Sequence, residues 1–372
     1  MNVGLLGCGI IGGGVLELLD NTKGVNVLKV LDLPSKKEFL KDRFAEKPED
    51  VCLNPDIDTV IEAMGGNLFP YECIKMALLN GKNVITSNKE VVSLHIEEFY
   101  SLAKEKGVYF LCEASVGGGI PLICSLIDSI KTNNVTRIYG IINGTTNFIL
   151  TKMDKEGMSL EDALAEAKRL GFAEADATAD LEGLDMTRKI CILSSIAYKG
   201  VVPYSSVYHY GITKFNDAIL KDIKSLGYNV KFVAESRLEN DNVKVSVEPV
   251  LIDSSNPLYG VNYEFNAVYY DCNYNDTLGF YGKGAGRYPT ASAMVQDVKR
   301  IELNSPKYYF ENTKKLEVSN FLDSSKYYVY DGKKGKIVEK LENIESYDFV
   351  ARIMWGLKLW KIITWQLLVQ QV

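Results

Sequence analysis

The first twenty residues contain a glycine pattern that restricts the fold more than any other feature of the chain. A short apolar segment, residues 1–6, leads into Gly7, Gly9 and Gly12, and residues 13–19 then have the composition of a helix. Gly7 allows a tight turn, Gly9 lets a ligand approach the backbone, and Gly12 lets the helix pack closely against the sheet. The first N–H groups of such a helix point at an anionic ligand. The pattern therefore predicts a site for the pyrophosphate of a dinucleotide.

An acidic residue follows at the position where such a site needs one. Residues 25–31 alternate as a second strand, and Asp32 follows it, twenty positions after Gly12. A carboxylate there binds the hydroxyl groups of the adenine ribose and repels a 2′-phosphate, which favours NAD over NADP. Lys36 and Lys37 are near enough in sequence to weaken that preference. A coincidental glycine-rich turn is the alternative, and the flanking strand, helix and Asp32 make it the less favoured one.

Segments with strand and helix character alternate through the first third of the chain. Apolar runs at 58–63, 83–86 and 109–113 have strand character, and helical segments at 71–80 and 96–106 separate them. This alternation is typical of an α/β fold with a doubly wound parallel sheet. Together with the glycine loop, it predicts a Rossmann-type domain.

The character of the sequence changes near residue 120. Strand-like segments at 230–234, 243–251 and 267–270 lie between turns, which favours an α+β arrangement. These stretches contain more apolar residues than a small domain buries by itself, so we expect a homodimer formed through its sheet. The predicted organisation is a dinucleotide-binding domain at 1–130, to which a helix at 290–303 returns, an α+β substrate-binding and dimerisation domain at 131–289, and a tail at 304–372 without an assigned role.

The composition argues against several classes of protein. With 42 basic and 48 acidic residues the net charge is -6, which is unfavourable for binding nucleic acid. The chain begins with a strand rather than a leader, and Lys358 and Lys361 interrupt the last apolar run, so neither a signal peptide nor a membrane span is expected. Trp355, Trp360 and Trp365 lie in that run, which we interpret as a packed or partner-contacting helix. The seven scattered cysteines form no CxxC pair, which is typical of reduced thiols in the cytoplasm.

Histidine is nearly absent from the chain. His95 and His209 are the two histidines, and neither has a second histidine or a cysteine at metal-ligand spacing, so a zinc site is not expected. We therefore expect any general acid or base to be a lysine, carboxylate or tyrosine.

Residues 171–189 are the strongest candidate for a catalytic segment. If a helix begins near residue 183, Asp185 and Lys189 are four residues apart and share one face. A lysine at the mouth of an apolar helix, with carboxylates beside it, can transfer a proton and hold a polar substrate. The alternative is a solvated acidic loop followed by a surface ion pair, which is the commoner fate of such charges. The carboxylates of the segment are Glu174, Asp176, Asp180, Glu182 and Asp185.

Six segments together resemble homoserine dehydrogenase. They occur in the order of that family and cover about residues 1 to 305: 4–12, 86–89, 113–121, 140–150, 171–189 and 282–293. The resemblance implies a reversible, NAD(P)-linked interconversion of L-aspartate 4-semialdehyde and L-homoserine. That reaction lies on the aspartate route to threonine, methionine and isoleucine.

The resemblance also implies roles for individual residues. Lys189 is the implied proton donor, and Lys89 is implied to lie near the nicotinamide and the substrate. The implied substrate ligands are Gly171, Glu174, Asp180 and Asp185. The implied cofactor ligands are Gly7, Gly9, Ile10, Ile11, Gly12, Asp32, Ser87, Lys89 and Gly284. A sodium ion is implied on the backbone carbonyls of Glu113, Val116, Gly118 and Ile120.

The chain departs from the family's pattern at three points. Ala177 stands where the family usually has proline, which we expect to loosen the substrate loop without removing a ligand. No aspartate kinase segment precedes the nucleotide-binding pattern, which implies the monofunctional form. The tail after about residue 310 is unlike the regulatory domain that some members carry, so feedback through such a domain is not expected.

Other functions remain compatible with parts of the sequence. Another NAD(P)-dependent enzyme of amino-acid metabolism would share the two-domain plan. Phosphorylating oxidation of a semialdehyde would need a nucleophilic cysteine in a polar site, whereas Cys112 and Cys124 lie in apolar segments. A non-catalytic dinucleotide sensor would need the fold and Asp32, but it would not need four further residues whose joint presence therefore disfavours it: Lys89, Glu174, Asp185 and Lys189.

Overall fold

The computed structural model of the chain describes residues 1–310, 314–341 and 343–354. The predicted helix with the three tryptophans lies outside the described residues. The chain forms two compact units and passes between them more than once. The first unit holds residues 1–135, 191–204 and 282–316, and the second holds residues 136–190, 205–281 and those from Glu317 onward.

The first unit contains the predicted parallel sheet. Within the described residues it has six strands in the order β3-β2-β1-β4-β5-β6, so the chain winds outward in both directions from β1. The doubly wound fold is thereby confirmed. The strands are β1 Asn2–Leu6, β2 Asn26–Leu31, β3 Phe44–Ala45, β4 Thr59–Glu62, β5 Asn83–Thr86 and β6 Phe110–Leu111.

Some helices of the first unit lie where the sequence predicts them, and others were not predicted. Helix α5 begins at Lys89, earlier than predicted, because the Asn88 side chain accepts a hydrogen bond from the Val91 N–H and caps it. The non-helical backbone of His95 divides this helix, and the helix predicted at 96–106 is its second part. The helices are α1 Ile10–Asp20, α2 Lys37–Leu40, α3 Glu49–Cys52, α4 Leu68–Leu79, α5 Lys89–Lys106, α6 Leu122–Ser129 and α12 Arg287–Glu302.

One helix from late in the chain completes the core of this unit. Met294, Val298 and Ile301 of α12 belong to the same buried apolar cluster as Val3 and Leu5 of β1. Burial of such side chains stabilises the unit by roughly 1.5–3 kcal/mol each. A short pair of strands, β8 Gly200–Val201 and β14 Lys314–Lys315, also lies in this unit.

The second unit is built on a mixed sheet of ten strands among the described residues. Strands β10 and β11 form its longest antiparallel pair, with register from Asn229 opposite Ile252 to Glu239 opposite Asn242. The tail expected to have no assigned role contributes β15 to β18 to this sheet. The strands are β7 Val135–Ile141, β9 Tyr208–His209, β10 Asn229–Glu239, β11 Asn242–Ile252, β12 Phe265–Cys272, β13 Asp276–Lys283, β15 Glu317–Ser319, β16 Tyr327–Tyr330, β17 Gly335–Val338 and β18 Phe349–Ile353.

The helices of the second unit begin at capped turns. Ser159 caps one of them, because its hydroxyl accepts a hydrogen bond from the Asp162 N–H. Helix α10 begins in the second unit and ends in the first. The helices are α7 Gly144–Glu156, α8 Leu160–Arg169, α9 Thr178–Leu181, α10 Leu184–Tyr198 and α11 Asp217–Ser225. None of the helices in the described ranges is both long and apolar enough to span a bilayer.

A buried network of charges ties the late strands into this sheet. Glu235 of β10 accepts hydrogen bonds from Arg137 Nε of β7 at 2.6 Å and from Arg352 Nη2 of β18 at 2.8 Å. Arg352 Nε also donates to Glu248 of β11 at 2.7 Å. Burial raises the pKa of Glu235, but the guanidinium groups of Arg137, Arg352 and Arg237 outweigh it and hold that pKa well below its usual range. Such pairs tolerate the loss of one partner poorly, because a charge is then buried alone.

Candidate active site

The glycine loop of the first unit adopts the backbone that its sequence predicts. Gly7 has a φ of +89°, and its N–H donates to the carbonyl of Leu31 at 2.8 Å. A Cβ on Gly12 would lie 1.9 Å from the carbonyl oxygen of Gly7, so only glycine fits there. No atom lies within 4 Å of the Cβ position of Gly9, which leaves the backbone open to a ligand.

A cavity of about 720 Å³ lies beside this loop. Ile10, the first residue of α1, lines it and is 75 % exposed, whereas Ile11 is half-buried. An apolar residue exposed beside the N-terminus of α1 is suited to covering a bound ligand. The other residues of the lining include Cys8, Gly9, Glu17, Lys36, Phe39 and Arg287.

Asp32 is fixed at the edge of the glycine loop. One of its carboxylate oxygens accepts from the Cys8 N–H, and the other accepts from the Leu33 N–H at 2.6 Å. Lys36 and Arg287 line the adjoining cavity, so cations face the region beside this carboxylate. Lys37 instead forms an exposed ion pair with Glu46. Sequence reasoning missed Arg287, which follows Asp32 by more than 250 positions.

The residues predicted near the nicotinamide follow strand β5. Ser87 is half-buried, and its N–H donates to the carbonyl of Glu62 at 3.3 Å. Lys89 is the first residue of α5, directly after the capping residue Asn88. Asn88 is buried, and its amide donates to the carbonyl of Gly66 at 2.9 Å. The turns after β4 and β5 are therefore bound to each other.

The segment 113–121 is a buried turn rather than the end of a strand. The predicted strand at 109–113 stops at Leu111 because Glu113 enters a 3₁₀ turn and its N–H donates to Asp297 at 3.2 Å. Gly117 and Gly118 have φ values of +76° and +56°. A Cβ on Gly118 would lie 2.7 Å from the carbonyl carbon of Gly284, so this turn and the predicted cofactor residue Gly284 are in close contact.

The carbonyls implied for a sodium ion are backbone oxygens of this turn. The Glu113 carbonyl accepts from the Val116 N–H at 3.3 Å and the Ile120 carbonyl accepts from the Leu122 N–H at 2.8 Å. Each carbonyl has two lone pairs, so these bonds leave one for a cation. Neutral oxygen donors suit a hard cation, and the donor set fits such an ion. In the described part of the chain, no cluster of His, Cys, Asp and Glu could hold a different metal.

Lys189 and Asp185 form a buried pair in the second unit. Lys189 Nζ donates to Asp185 Oδ2 and to the carbonyl of Ile142, each at 2.7 Å. The residues are 7 % and 4 % exposed. A surface ion pair would be largely exposed, so that half of the alternative does not hold, whereas Glu174 and Asp176 of the preceding loop are exposed as the alternative expected. Burial of an ion pair costs free energy, which is consistent with a functional role.

Asn143 connects this pair to a further carboxylate. Its amide nitrogen donates to Asp185 at 2.9 Å and to Asp180 at 2.7 Å. Its oxygen accepts from the Thr146 N–H at 2.9 Å and so caps helix α7. No site role was predicted for Asn143 from the sequence. An asparagine placed directly after a strand is the signal that could have identified the cap.

The remaining predicted substrate residues lie on an exposed segment. Gly171 has a φ of +79° and reverses the chain after α8. Glu174 is exposed. Among the described residues, no hydrogen bond joins it to Asn143 or to the carboxylates that Asn143 binds. The hydroxyl of Thr145 donates to the carbonyl of Phe172 at 2.6 Å, which anchors the segment to α7. Ala177, in the usual proline position, is buried.

The two cysteines relevant to an alternative chemistry are poorly suited to it. Burial raises the pKa of Cys112 to about 12 and that of Cys124 to about 11. A nucleophilic cysteine needs a lowered pKa, because the thiolate is the reactive form. The structure therefore argues against phosphorylating oxidation through either thiol.

Comparison with known proteins identifies the family. A model described as homoserine dehydrogenase matches residues 121–298, and a model of the homoserine dehydrogenase NAD binding domain matches residues 7–113. The homoserine dehydrogenase of Bacillus subtilis is 39 % identical over 320 residues, which cover 82 % of this chain and 73 % of that protein. The chain belongs to the homoserine dehydrogenase family. The resemblance stated from the sequence is thus confirmed.

Solved structures of homoserine dehydrogenases have the same fold. The enzyme of Thiobacillus denitrificans has 32 % identity and a TM-score of 0.83 over 89 % of this chain and 83 % of its own. The S. aureus enzyme at pH 7.5 has 31 % identity and a TM-score of 0.78 over 95 % and 98 %. A hyperthermophilic archaeal homoserine dehydrogenase in complex with NADPH has 28 % identity and a TM-score of 0.71 over 82 % and 98 %.

The glycine loop gives a prediction with an internal control. Gly12→Ala would push a methyl group into the Gly7 carbonyl and displace the N-terminus of α1, so NAD(P) affinity should fall at least about tenfold. Gly13→Ala adds the same methyl group to the same helix with its nearest neighbour 3.8 Å away, and should keep most of the affinity. Titration of NADH fluorescence measures both. Equal losses in the two variants would contradict the steric argument.

Proposed function

We propose that the chain catalyses the reversible NAD(P)-dependent interconversion of L-aspartate 4-semialdehyde and L-homoserine, in the aspartate route to threonine, methionine and isoleucine. The observation that carries the proposal is the buried Lys189–Asp185 pair in a chain of the homoserine dehydrogenase family. The first unit is the proposed nucleotide-binding unit and the second the proposed substrate-binding unit. Turnover of L-homoserine with NAD(P) tests the assignment.

Lys189 is the proposed general acid in the reduction. When bound, NAD(P)H would supply the hydride for the aldehyde carbon, so that negative charge would develop on the aldehyde oxygen. The Lys189 ammonium stabilises that charge and transfers a proton to it, and in the reverse direction it accepts the hydroxyl proton. Asp185 and the Ile142 carbonyl orient the ammonium group, since each accepts a hydrogen bond from it.

The carboxylates near Asn143 are the proposed ligands of the substrate ammonium. Asp180 and Asp185 share the Asn143 amide, which holds both in place. A substrate ammonium group needs a carboxylate partner when it leaves water. Glu174 and Gly171 are proposed to take part from the exposed segment, because the resemblance assigns them there.

The acid role of Lys189 gives a sharp prediction. Lys189→Ala should lower kcat about 10²–10⁴-fold, the usual scale for the loss of a positioned general acid. NADH affinity should barely change, because the glycine loop and Asp32 lie in the other compact unit. The measurement is the absorbance of the reduced nicotinamide with L-homoserine as substrate. Lys152→Ala is the matched control, since Lys152 also pairs with a carboxylate four residues away on a helix.

A folded Lys189→Ala protein with nearly normal kcat would move the acid role to another residue. Lys89 is the first candidate, because it begins α5 directly after Asn88. If Lys152→Ala lost as much activity as Lys189→Ala, the effect would be general to helix ion pairs and would not support catalysis by Lys189.

We propose that the enzyme prefers NAD over NADP, because the Asp32 carboxylate repels the 2′-phosphate of NADP. Asp32→Ser should therefore raise kcat/KM for NADPH relative to NADH, since a hydroxyl repels no phosphate. The cations of Lys36 and Arg287 beside the cavity act in the opposite sense. A strong NADPH preference in the unmodified protein would show that these cations outweigh Asp32, and Lys36→Ala and Arg287→Ala would then identify which of them does.

We also propose a sodium ion on the carbonyls of Glu113, Val116, Gly118 and Ile120. The positive φ values of Gly117 and Gly118 support it, because they turn this backbone sharply. The bound ion would keep the turn in contact with Gly284.

A cytoplasmic location is proposed as well, because the seven cysteines are free thiols, which suits a reducing compartment.

A homodimer is proposed, although one reason expected from the sequence is wrong. Strands β10 and β11 are buried almost throughout within their own unit. The better support is β13, which has one neighbour among the described strands and exposes Tyr281 at 61 %, stacked on Phe265 at 5.1 Å. Sedimentation at micromolar concentration should give a dimer that Tyr281→Lys weakens and Tyr274→Lys does not. A monomer in the unmodified protein would refute this proposal.

A further inference from the structure

A buried carboxyl group joins the ends of two neighbouring strands in the first unit. Glu62 ends β4 and stands opposite Thr86, which ends the parallel strand β5. Glu62 Oε2 accepts a hydrogen bond from the Thr86 hydroxyl at 2.5 Å. Both residues are 0 % exposed, so neither can touch a ligand directly.

The same pair binds the two turns that follow these strands. The other carboxyl oxygen of Glu62 accepts from the Met64 N–H at 2.7 Å, in the turn after β4. The Thr86 hydroxyl accepts from the Asn88 N–H at 2.9 Å, in the turn after β5. Asn88 in turn donates to the Gly66 carbonyl at 2.9 Å. These bonds form a closed circuit that fixes both turns.

The circuit is in contact with the nucleotide loop. A Cβ on Gly7 would lie 2.8 Å from the carbonyl oxygen of Ala63 and 2.9 Å from Met64 Cγ, so the turn after β4 packs directly against the glycine loop. At its other end the circuit includes the cap of α5, because Asn88 Oδ1 accepts from the Val91 N–H at 3.2 Å. The Met64 side of the circuit therefore adjoins the glycine loop, whereas the Thr86 side adjoins the start of α5, so loss of the Thr86 hydroxyl leaves the bond to Met64 in place.

The position of the circuit indicates which half of a dinucleotide it serves. In a sheet of order β3-β2-β1-β4-β5-β6, a dinucleotide lies across the carboxyl ends of the strands, with one nucleotide on each half. Asp32 follows β2 and faces the adenosine half. Strands β4 and β5 belong to the other half, where the nicotinamide nucleotide binds.

We propose that Glu62 is a positioning residue for the nicotinamide: through Thr86 and the Met64 N–H it fixes the two turns on which the ring rests, and with them the start of α5 at Lys89. This inference rests on the proposed NAD(P)-dependent function. Burial raises the pKa of Glu62 to about 7, while its hydrogen bonds with Thr86 and Met64 act in the opposite sense. The circuit uses both oxygens of Glu62 as acceptors, which is the hydrogen-bonding pattern of the ionised carboxylate.

The test uses two cofactor probes that differ in the nicotinamide. Thr86→Val keeps the side-chain shape but removes the hydroxyl, so the full-length variant should bind NADH about tenfold more weakly, as expected for one buried hydrogen bond. Its affinity for ADP-ribose, which lacks the ring, should be unchanged. Thr86→Ser restores the hydroxyl and should restore NADH binding. Glu62→Gln, which keeps an acceptor oxygen, should lose less than Thr86→Val.

Strands β4 and β5 supply a matched control at their other end. Thr59 begins β4, is also 0 % exposed, and stands opposite Asn83, whose amide donates to the Thr59 hydroxyl at 3.3 Å. Thr59→Val likewise removes a buried threonine hydroxyl from this pair of strands. It should leave the affinities for NADH and ADP-ribose unchanged, even where thermal stability falls.

Three results would overturn the inference. They are an equal loss of NADH and ADP-ribose affinity in Thr86→Val, an equal loss in Thr59→Val, or unchanged NADH binding in Thr86→Val. Because binding is measured without turnover, failure of the proposed reaction remains distinguishable: it would appear as NADH binding without oxidation of L-homoserine by the unmodified protein.

Discussion

Parallel strands end together at one edge of a sheet, and their last peptide groups there lack ladder partners. In this protein side chains at the strand ends satisfy them. Asp32, after β2, accepts from the Cys8 N–H of the loop after β1, and Glu62, at the end of β4, accepts from the Met64 N–H. Each carboxyl group therefore fixes a turn that a cofactor would contact. The hydrogen bonds that satisfy the backbone N–H groups at this edge are therefore also the ones that set the geometry of the two turns.

In the second unit a side chain also satisfies the backbone at the end of a strand, but here a cation donates to a carbonyl. The carbonyl of Ile142, just after β7, accepts from the Lys189 ammonium, and the next residue, Asn143, binds two carboxylates. Asn143 uses its oxygen for the cap of α7 and its nitrogen for Asp180 and Asp185, so the side chain has little freedom to rotate. In the proposed mechanism, a lysine held this way would be oriented before the substrate binds, which would reduce the free-energy cost of ordering it during the reaction.

Local patterns were sufficient for part of this structure. The glycine spacing, Asp32 and the four-residue separation of Asp185 and Lys189 depend on neighbours in sequence, and the structure places each as expected within its unit. Glu62 and Asn143 could not be recognised in this way, because their partners lie 24 and 42 positions away. The late strands β15 to β18 were missed for a similar reason: Arg352 is held by Glu235, more than a hundred residues earlier.

Removal of Lys189 and removal of Asn143 would have different consequences, and the difference clarifies what each does. Without Lys189, Asp185 still accepts from Asn143, so the carboxylate keeps a donor and the fold keeps the α7 cap. Without Asn143, Asp180 and Asp185 lose their shared donor and α7 loses its cap at once, which costs roughly 0.5–2 kcal/mol for the cap alone. In the proposed mechanism the loss of Lys189 therefore bears most directly on the chemistry, whereas the loss of Asn143 would mix structural and catalytic effects. The proposed proton donor is thus a different residue from the one that holds the buried cluster together.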